Sequence, residues 1–233
     1  MIDRFMVNSK LDCIGEMKDH LVFSVLTEED VSFIQGKQKE IPYRKGEYIC
    51  KQGSFASQIM YIKKGVVKIF TEHPETNIIL TLETKGALIG LPALYTSKVF
   101  PYSVVPFEDA VICMIDIQDF QLLMRRNSLF AIEVVKQLND YTLRSYDRLH
   151  CLTHKQLHGR FADILLCLMN RIYFGHHFTT TLSRRDLSEL TVMSTESLSR
   201  IIKYFNDEGI IKISGKEIEI LDKDRLFQIS KLG

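Results

Sequence analysis

Hydrophobic positions along the chain change period twice. From Ile41 to Asp116 they come in short runs, such as Gln58-Ile59-Met60-Tyr61-Ile62, Val66-Val67-Lys68-Ile69-Phe70 and Ile78-Ile79-Leu80-Thr81-Leu82. These runs are rich in β-branched and aromatic residues and predict strands. Turn signals separate them at Lys45-Gly46, Gln52-Gly53, Lys64-Gly65, His73-Pro74 and Lys85-Gly86. Several short strands at this spacing predict a β-sandwich or roll. Ahead of them, Thr27-Glu28-Glu29-Asp30 predicts a helix start, with Thr27 as cap and Asp30 reaching back.

Beyond Asp116 the period turns helical. Asp116 can cap a short helix through Met124, and a longer one runs from Ser128 to about His150. In the longer helix Ala131, Val135, Leu138, Thr142, Ser145, Leu149 and Leu152 alternate by four and three. That is the repeat of a coiled-coil seam. Phe130, Val134 and Tyr141 form a second apolar stripe that suits the roll. A helix with two apolar faces wants two partners, its own domain and a second copy of itself. Val135, Leu138, Thr142, Ser145 and Leu149 are therefore the expected dimer contacts; a core helix of a single chain is the alternative.

A third texture begins at Thr153, which can cap a new helix. Gln156 to Arg171 is apolar at helical spacing, and Gly175 is its expected stop. Ser183 with Asp186, and Ser194 helped by Ser197, start two more helices. The second runs through Phe205 to Gly209. Ile210 to Ile213, Ser214-Gly215 and Ile218 to Ile220 predict a hairpin, and His176-His177 reads as loop. The order is helix, helix, turn, helix, two-stranded wing. No internal repeat or low-complexity tract interrupts it.

The segment Leu182 to Ile202 has helix-turn-helix spacing. Leu187, Leu190, Leu198 and Ile201 can lock two short helices together. The outer face of the second then shows Thr195, Glu196, Ser199 and Arg200. Such a face can enter a major groove, where Arg forks onto guanine and Glu accepts from cytosine. Ser183 and the N–H groups of its helix can hold a phosphate, with Arg184, Lys203 and Lys216 as further phosphate contacts. The plainer alternative is a solvated face on which Glu196 and Arg200, four apart, pair with each other.

Composition narrows the partners only slightly. The 233 residues are 45% hydrophobic and 25% charged, with a formal charge of +1, so no global basic field announces nucleic acid. Residues 153–233 hold twelve basic against ten acidic residues. A DNA role must rest on where charges stand. No stretch approaches the roughly 18 apolar residues of a membrane span, so no membrane partner and a cytoplasmic location are expected. Cys13, Cys50, Cys113, Cys151 and Cys167 are scattered without C-x-x-C spacing. That argues against a disulfide framework or a compact metal site.

Motifs in order along nearly the whole chain resemble the Crp/Fnr superfamily of bacterial transcription regulators. In the roll these are Arg44-Lys45-Gly46-Glu47, Gln52-Gly53, Tyr61-Ile62 and Gly65-Val66-Val67-Lys68-Ile69. In the C-terminal part they are Leu182-Ser183-Arg184-Arg185-Asp186-Leu187, Glu196-Ser197-Leu198-Ser199-Arg200, Glu208-Gly209-Ile210-Ile211 and Gly215-Lys216. The resemblance implies an α+β chain. Residues 1–127 would form a double-stranded β-helix (jelly-roll) sensor with N-terminal helices. Residues 128–152 would be a dimerisation helix, and 153–233 a winged helix-turn-helix. It implies a homodimer on double-stranded DNA, with RNA polymerase as an expected partner. Glu196, Ser199 and Arg200 match the Glu-x-x-Ser-Arg pattern of the Fnr branch, whose half-sites resemble TTGA. The catabolite activator branch would place Arg at Thr195 and Gly at Ser199. Val192 stands where the family's turn usually has Gly; a β-branched residue resists positive φ, so a differently tightened turn or an altered helix angle is expected.

The family's cyclic-nucleotide pocket needs a Gly-Glu pair and an Arg-Ser pair. The corresponding stretches here are Leu88-Ile89-Gly90-Leu91 and Phe100-Pro101-Tyr102-Ser103. Ile89 replaces the Glu and Tyr102 replaces the Arg. Without a guanidinium fork a cyclic phosphate loses a charge-assisted pair of hydrogen bonds, so cAMP binding should be weak or absent. The Fnr branch holds an iron–sulfur cluster on closely spaced N-terminal cysteines, and only Cys13 lies there. The effector is therefore unidentified. A pocket of Ile89, Gly90, Leu91, Tyr102, Ser103 and Ser145 suits a less charged ligand; a closed apolar core is the alternative.

His150, His154 and His158 are spaced by four and would share a face of one unbroken helix, able to hold haem or zinc. The break expected near Thr153 spoils that register. Exposed hinge histidines are the favoured reading, and a haem- or metal-linked redox or gas sensor the alternative. A cupin-like β-roll metalloenzyme needs several inward histidines, and between Ile41 and Asp116 there is only His73. No catalytic constellation suggests an enzyme. A pure cyclic-nucleotide adaptor would need the missing phosphate Arg and would have no use for Glu196, Ser199 and Arg200.

Overall fold

The computed structural model describes residues 22–74, 77–96 and 98–233. Cys13 and the start of the N-terminal segment lie outside these residues.

Helix α1 (Glu28–Ile34) begins at the expected capping box: Asp30 N donates to Thr27 Oγ1, and Thr27 N to Asp30 Oδ2. The strands that follow are β1 (Gln38–Tyr43), β2 (Gln58–Lys64), β3 (Val67–Thr71), β4 (Ile78–Glu83), β5 (Leu88–Ile89), β6 (Ser103–Pro106) and β7 (Ala110–Asp116). They form two antiparallel sheets, ordered β1-β7-β2-β5 and β4-β3-β6.

The inner strands, β2 and β7 above all, read as nearly continuous apolar runs because both of their faces are covered, whereas the edge strand β1 is polar and has no buried residue. In β2 and β7, Met60, Ile62, Ile112 and Met114 point into the roll. Their alternates Ile59, Tyr61, Cys113 and Ile115 meet Phe23, Ile34, Phe120 and Phe130 outside it. In the other sheet Val67, Ile69, Leu80 and Val104 face inward. Phe70, Ile79, Leu82 and Val105 face outward into one cluster with the C-terminal helices. The C-terminal unit therefore packs directly on the roll.

Helix α2 (Ile117–Arg126) is capped by Asp116, as expected. Helix α3 (Ser128–His154) starts where expected, with Asn127 as its cap. Phe130 and Val134 are buried against the roll, and Tyr141 packs on its interior cluster, so the second apolar stripe does face its own domain.

Helix α3 runs one turn past the expected end. Thr153 lies inside it and returns its hydroxyl to Leu149 O at 2.8 Å. The break falls at Lys155, and the extended Gln156 precedes α4 (Leu157–Cys167). A π-helical turn, Leu168–Ile172, completes α4. The left-handed residue that stops it is Phe174 (φ 52) instead of Gly175, whose N–H closes the end on Met169 O.

Strand β8 (His177–Thr179) occupies the segment expected to be loop and pairs with β10. Then come α5 (Arg184–Thr191), α6 (Thr195–Asp207), β9 (Ile211–Ser214) and β10 (Glu217–Ile220). The wing thus has three strands, β8-β10-β9, where two were expected. A last helix, α7 (Lys223–Leu232), was not expected; Asp222 caps it and Leu226 is fully buried.

Candidate nucleic-acid interface and effector cavity

Helix α5 is fixed at its start by a reciprocal box. Asp186 N donates to Ser183 Oγ at 3.1 Å, and Ser183 N to Asp186 Oδ2 at 2.9 Å. The Ser183 hydroxyl also donates to Asp186 at 2.6 Å, so this side chain is engaged with its own helix. Across the domain boundary Lys68 reaches Asp186 at 3.2 Å and Glu189 at 3.5 Å.

The turn to α6 passes through Val192 with φ 50 and ψ 54. The chain keeps left-handed geometry there with a β-branched side chain, a conformation that costs such a residue energy. The altered turn expected from the sequence is not needed. Met193 N–H still closes onto Ser188 O at 3.1 Å, and Ser194 caps α6 through Ser197 N. Leu187, Leu190, Leu198 and Ile201 are all buried in one cluster, which sets the angle between the two helices.

The opposite face of α6 presents Thr195, Glu196, Ser199, Arg200 and Lys203, all exposed. Ser199 Oγ donates back to Thr195 O at 2.8 Å. Glu196 and Arg200 are in contact as an ion pair, each side chain 76% exposed. The pairing foreseen as an alternative is thus present. A pair this exposed is worth little in water. Gly215 makes the wing tip with φ 61, leaving Lys216 exposed beside it. Asn206 Oδ1 accepts Ile213 N–H at 2.9 Å, tying the end of α6 to the wing.

On α3, Val135 and Leu149 are half or more exposed and Leu138 less so. Ile132, Leu143 and Tyr146, absent from the expected seam, widen this apolar face at 50%, 59% and 64% exposure. Their spacing to Val135 and Leu149 was the available signal. Thr142 and Ser145 return their hydroxyls to Leu138 O and Tyr141 O, each at 2.9 Å.

The expected effector residues separate. Leu91 and Tyr102 line a cavity of about 550 Å³ between the roll and α3, together with Glu83, Gln137, Tyr141 and Arg144. Ile89, Gly90, Ser103 and Ser145 are not in its wall. Ser103 accepts Gln52 N–H and donates to Glu72 Oε1 at 2.6 Å, facing away from the cavity. Ser145 is exposed on α3.

The Tyr102 hydroxyl accepts Gly90 N–H at 3.0 Å. Gly90 has φ +96, and a Cβ there would lie 3.1 Å from Gln58 O, so the loop end can approach this closely only as glycine. Burial holds the Tyr102 phenol far above its usual range, so it stays protonated. Burial, and then the Glu83 carboxylate, push the Tyr141 phenol up to about 12. Glu83 itself pairs with Arg144 at 3.2 Å.

His150 and His154 stack on α3 with ring centroids 4.7 Å apart. His158, beyond the break, instead meets the Tyr204 ring edge-on at 5.4 Å. Among the described residues no group of three or more His, Cys, Asp or Glu is placed to hold a metal ion, and no helix is long and apolar enough to cross a membrane.

Two family profiles match the chain: a cyclic nucleotide-binding domain over residues 40–127 and a Crp-like helix-turn-helix domain over residues 159–229. The transcriptional activator protein anr of Pseudomonas aeruginosa is 24% identical over 208 residues, covering 86% of this chain and 84% of that protein. The fumarate and nitrate reduction regulatory protein of Escherichia coli K12 is 21% identical, covering 83% and 79%. Among solved structures, FixK2 from Bradyrhizobium japonicum superposes with a TM-score of 0.76 at 19% identity, covering 82% of this chain and 96% of that one. A CooA mutant from Carboxydothermus hydrogenoformans gives 0.74 at 18% identity, covering 91% and 95%. With a closed roll, a long helix and a helix-turn-helix in this order, the chain belongs to the Crp/Fnr family of DNA-binding transcription regulators.

Proposed function

We propose that the chain is a cytoplasmic homodimer that reads a pseudo-palindrome with TTGA-like half-sites. The observation that carries this is the exposed face of α6, where Thr195, Glu196, Ser199 and Arg200 stand clear of the packed side of the helix. On this reading Arg200 forks onto the guanine, Glu196 accepts from a cytosine amino group, and Thr195 and Ser199 complete the readout. Ser183, Arg184, Lys203 and Lys216 hold flanking phosphates; for Ser183 the contact comes through the helix N-terminus, since its hydroxyl serves the cap. The exposed stripe of α3 around Val135, Tyr146 and Leu149 is the face that a second copy covers. Residues 1–127 then act as the sensor, 128–152 as the dimer helix and 153–233 as the reader, with RNA polymerase as the downstream partner.

The signal enters through the roll, and it is not cAMP. Tyr102 brings a neutral phenol where a guanidinium fork would be needed, and the Ser103 hydroxyl donates to Glu72, so no charge-assisted pair awaits a cyclic phosphate. Isothermal titration should show no cAMP binding; low-micromolar affinity would contradict this. Competition gel shifts test the DNA reading. A duplex with two intact TTGA half-sites should displace one in which both guanines are replaced, and equal competition by the two duplexes would refute the assignment.

A further inference from the structure

A second cavity, of about 280 Å³, lies where β4, α3, α4 and α5 meet, at the junction of roll, long helix and DNA-reading unit. Three guanidinium groups line it: Arg144, Arg148 and Arg171. Arg144 and Arg171 share one carboxylate, Glu83, at 3.2 and 3.7 Å. Arg148 has no carboxylate in ion-pair range among the described residues. Its Nη2 donates to Ile79 O of the roll and to Leu190 O of α5. Arg148 Nε, Arg148 Nη1 and Arg144 Nε are buried and meet no acceptor in the protein.

Buried cationic donors are normally paired, because an unmet charged N–H loses its hydration without return. The acidic groups in the wall do not meet these donors. Asp163 is held by Lys155 at 2.8 Å through both oxygens, and Asp147 is exposed. The two thiols in the wall add no negative charge. Burial pushes the Cys151 thiol up to about 11 and raises Cys167 as well. The cavity thus lies beside three guanidinium nitrogens that meet no acceptor, and one of its three arginines, Arg148, has no carboxylate in contact among the described residues.

We propose that this junction cavity binds a small anion through a phosphate or carboxylate group held by Arg148 and Arg144. A guanidinium fork matches the paired oxygens of either group. Because Arg148 also ties Ile79 to Leu190, an anion that fixes this side chain favours the arrangement in which the reader is docked on the roll.

Calorimetric titration of the full chain with inorganic phosphate, and separately with succinate, tests this at constant ionic strength set by sodium chloride. Saturable binding of one or the other at one site per chain is expected, and which anion binds identifies the group recognised. R148M should abolish it. If R148M does not fold, R148K carries the comparison: it keeps the charge, loses the fork and should bind at least about tenfold more weakly. A crystal of the wild-type protein grown with the bound anion should place it against Arg148. No saturable binding of either anion, binding unchanged in the folded variants, or an anion located elsewhere would overturn the proposal.

Discussion

Val192 carries the turn of the helix-turn-helix in a conformation that β-branched residues avoid. The sequence marked this position only as a departure from the family's glycine. The expectation was that the turn or the helix angle would yield; instead the backbone geometry is kept and the residue bears the strain. Val192 is 40% exposed, so replacing it removes little packing. V192G should stabilise the protein by about 1 kcal/mol, the relieved strain outweighing the added chain entropy; urea unfolding measures this, and a destabilised variant would contradict it. At the reading face, R200A should cost about 1–3 kcal/mol on the specific site and relax the preference at the guanine. K216A should weaken binding to all sequences alike. Anisotropy titrations on specific and random duplexes separate the two, and equal losses on both duplexes for both variants would count against the roles assigned.

Asp30 shows how a buried carboxylate ties elements together. Burial raises its pKa, but hydrogen bonds from Asn127 and Thr27 more than offset this, so it lies below the usual carboxylate value. Asn127 Nδ2 donates to it at 2.7 Å, linking α1 to the α2–α3 junction. A group with a lowered folded pKa stabilises above its unfolded pKa and loses that contribution as pH falls through the folded one. Acid unfolding of D30N should therefore lack part of the pH dependence of the parent below about pH 4, as a pH series of thermal melts would show.

Among elements, what the sequence disclosed followed from coverage. The inner strands were legible because helices cover one sheet and the C-terminal unit the other, so those strands demand apolar residues on both faces. Three features escaped. Strand β8 is three residues long with polar neighbours, too short for a period. The end of α3 was misplaced because Thr153 can cap a new helix or bond back to its own turn, and it does the latter. Helix α7 escaped because a single buried apolar residue, Leu226, sets no period. On α3, exposure adds Ile132, Leu143 and Tyr146 to the expected face around Val135 and Leu149. L149K or Y146K should leave the fold intact and shift the protein to monomer in sedimentation experiments, since a charge there would enter an apolar seam. The candidate effector pocket was the least legible part, because it depends on where Tyr102 and Ser103 point, which alternation alone does not fix.

At the scale of the molecule, the outward face of β3, β4 and β6 continues into the core of the DNA-reading unit. Polar ties lie at its edge: Lys68 to Asp186 and Glu189, and Arg148 to the Ile79 and Leu190 carbonyls. The roll and the C-terminal unit thus share one packed core along the chain. On the proposed reading, two such reading helices would reach one DNA duplex through the α3 seam of a homodimer. In a two-fold dimer those helices should sit about 34 Å apart, one turn of the duplex. The decisive measurement is the affinity of the protein for three duplexes: a palindrome with TTGA half-sites one turn apart, the same half-sites with about half a turn inserted between them, and a scrambled sequence. The account predicts one dimer bound to the first at least ~10³-fold more tightly than to the scrambled duplex, with most of that advantage lost on the second. Equal affinity for all three, or tight binding by a single chain, would contradict it.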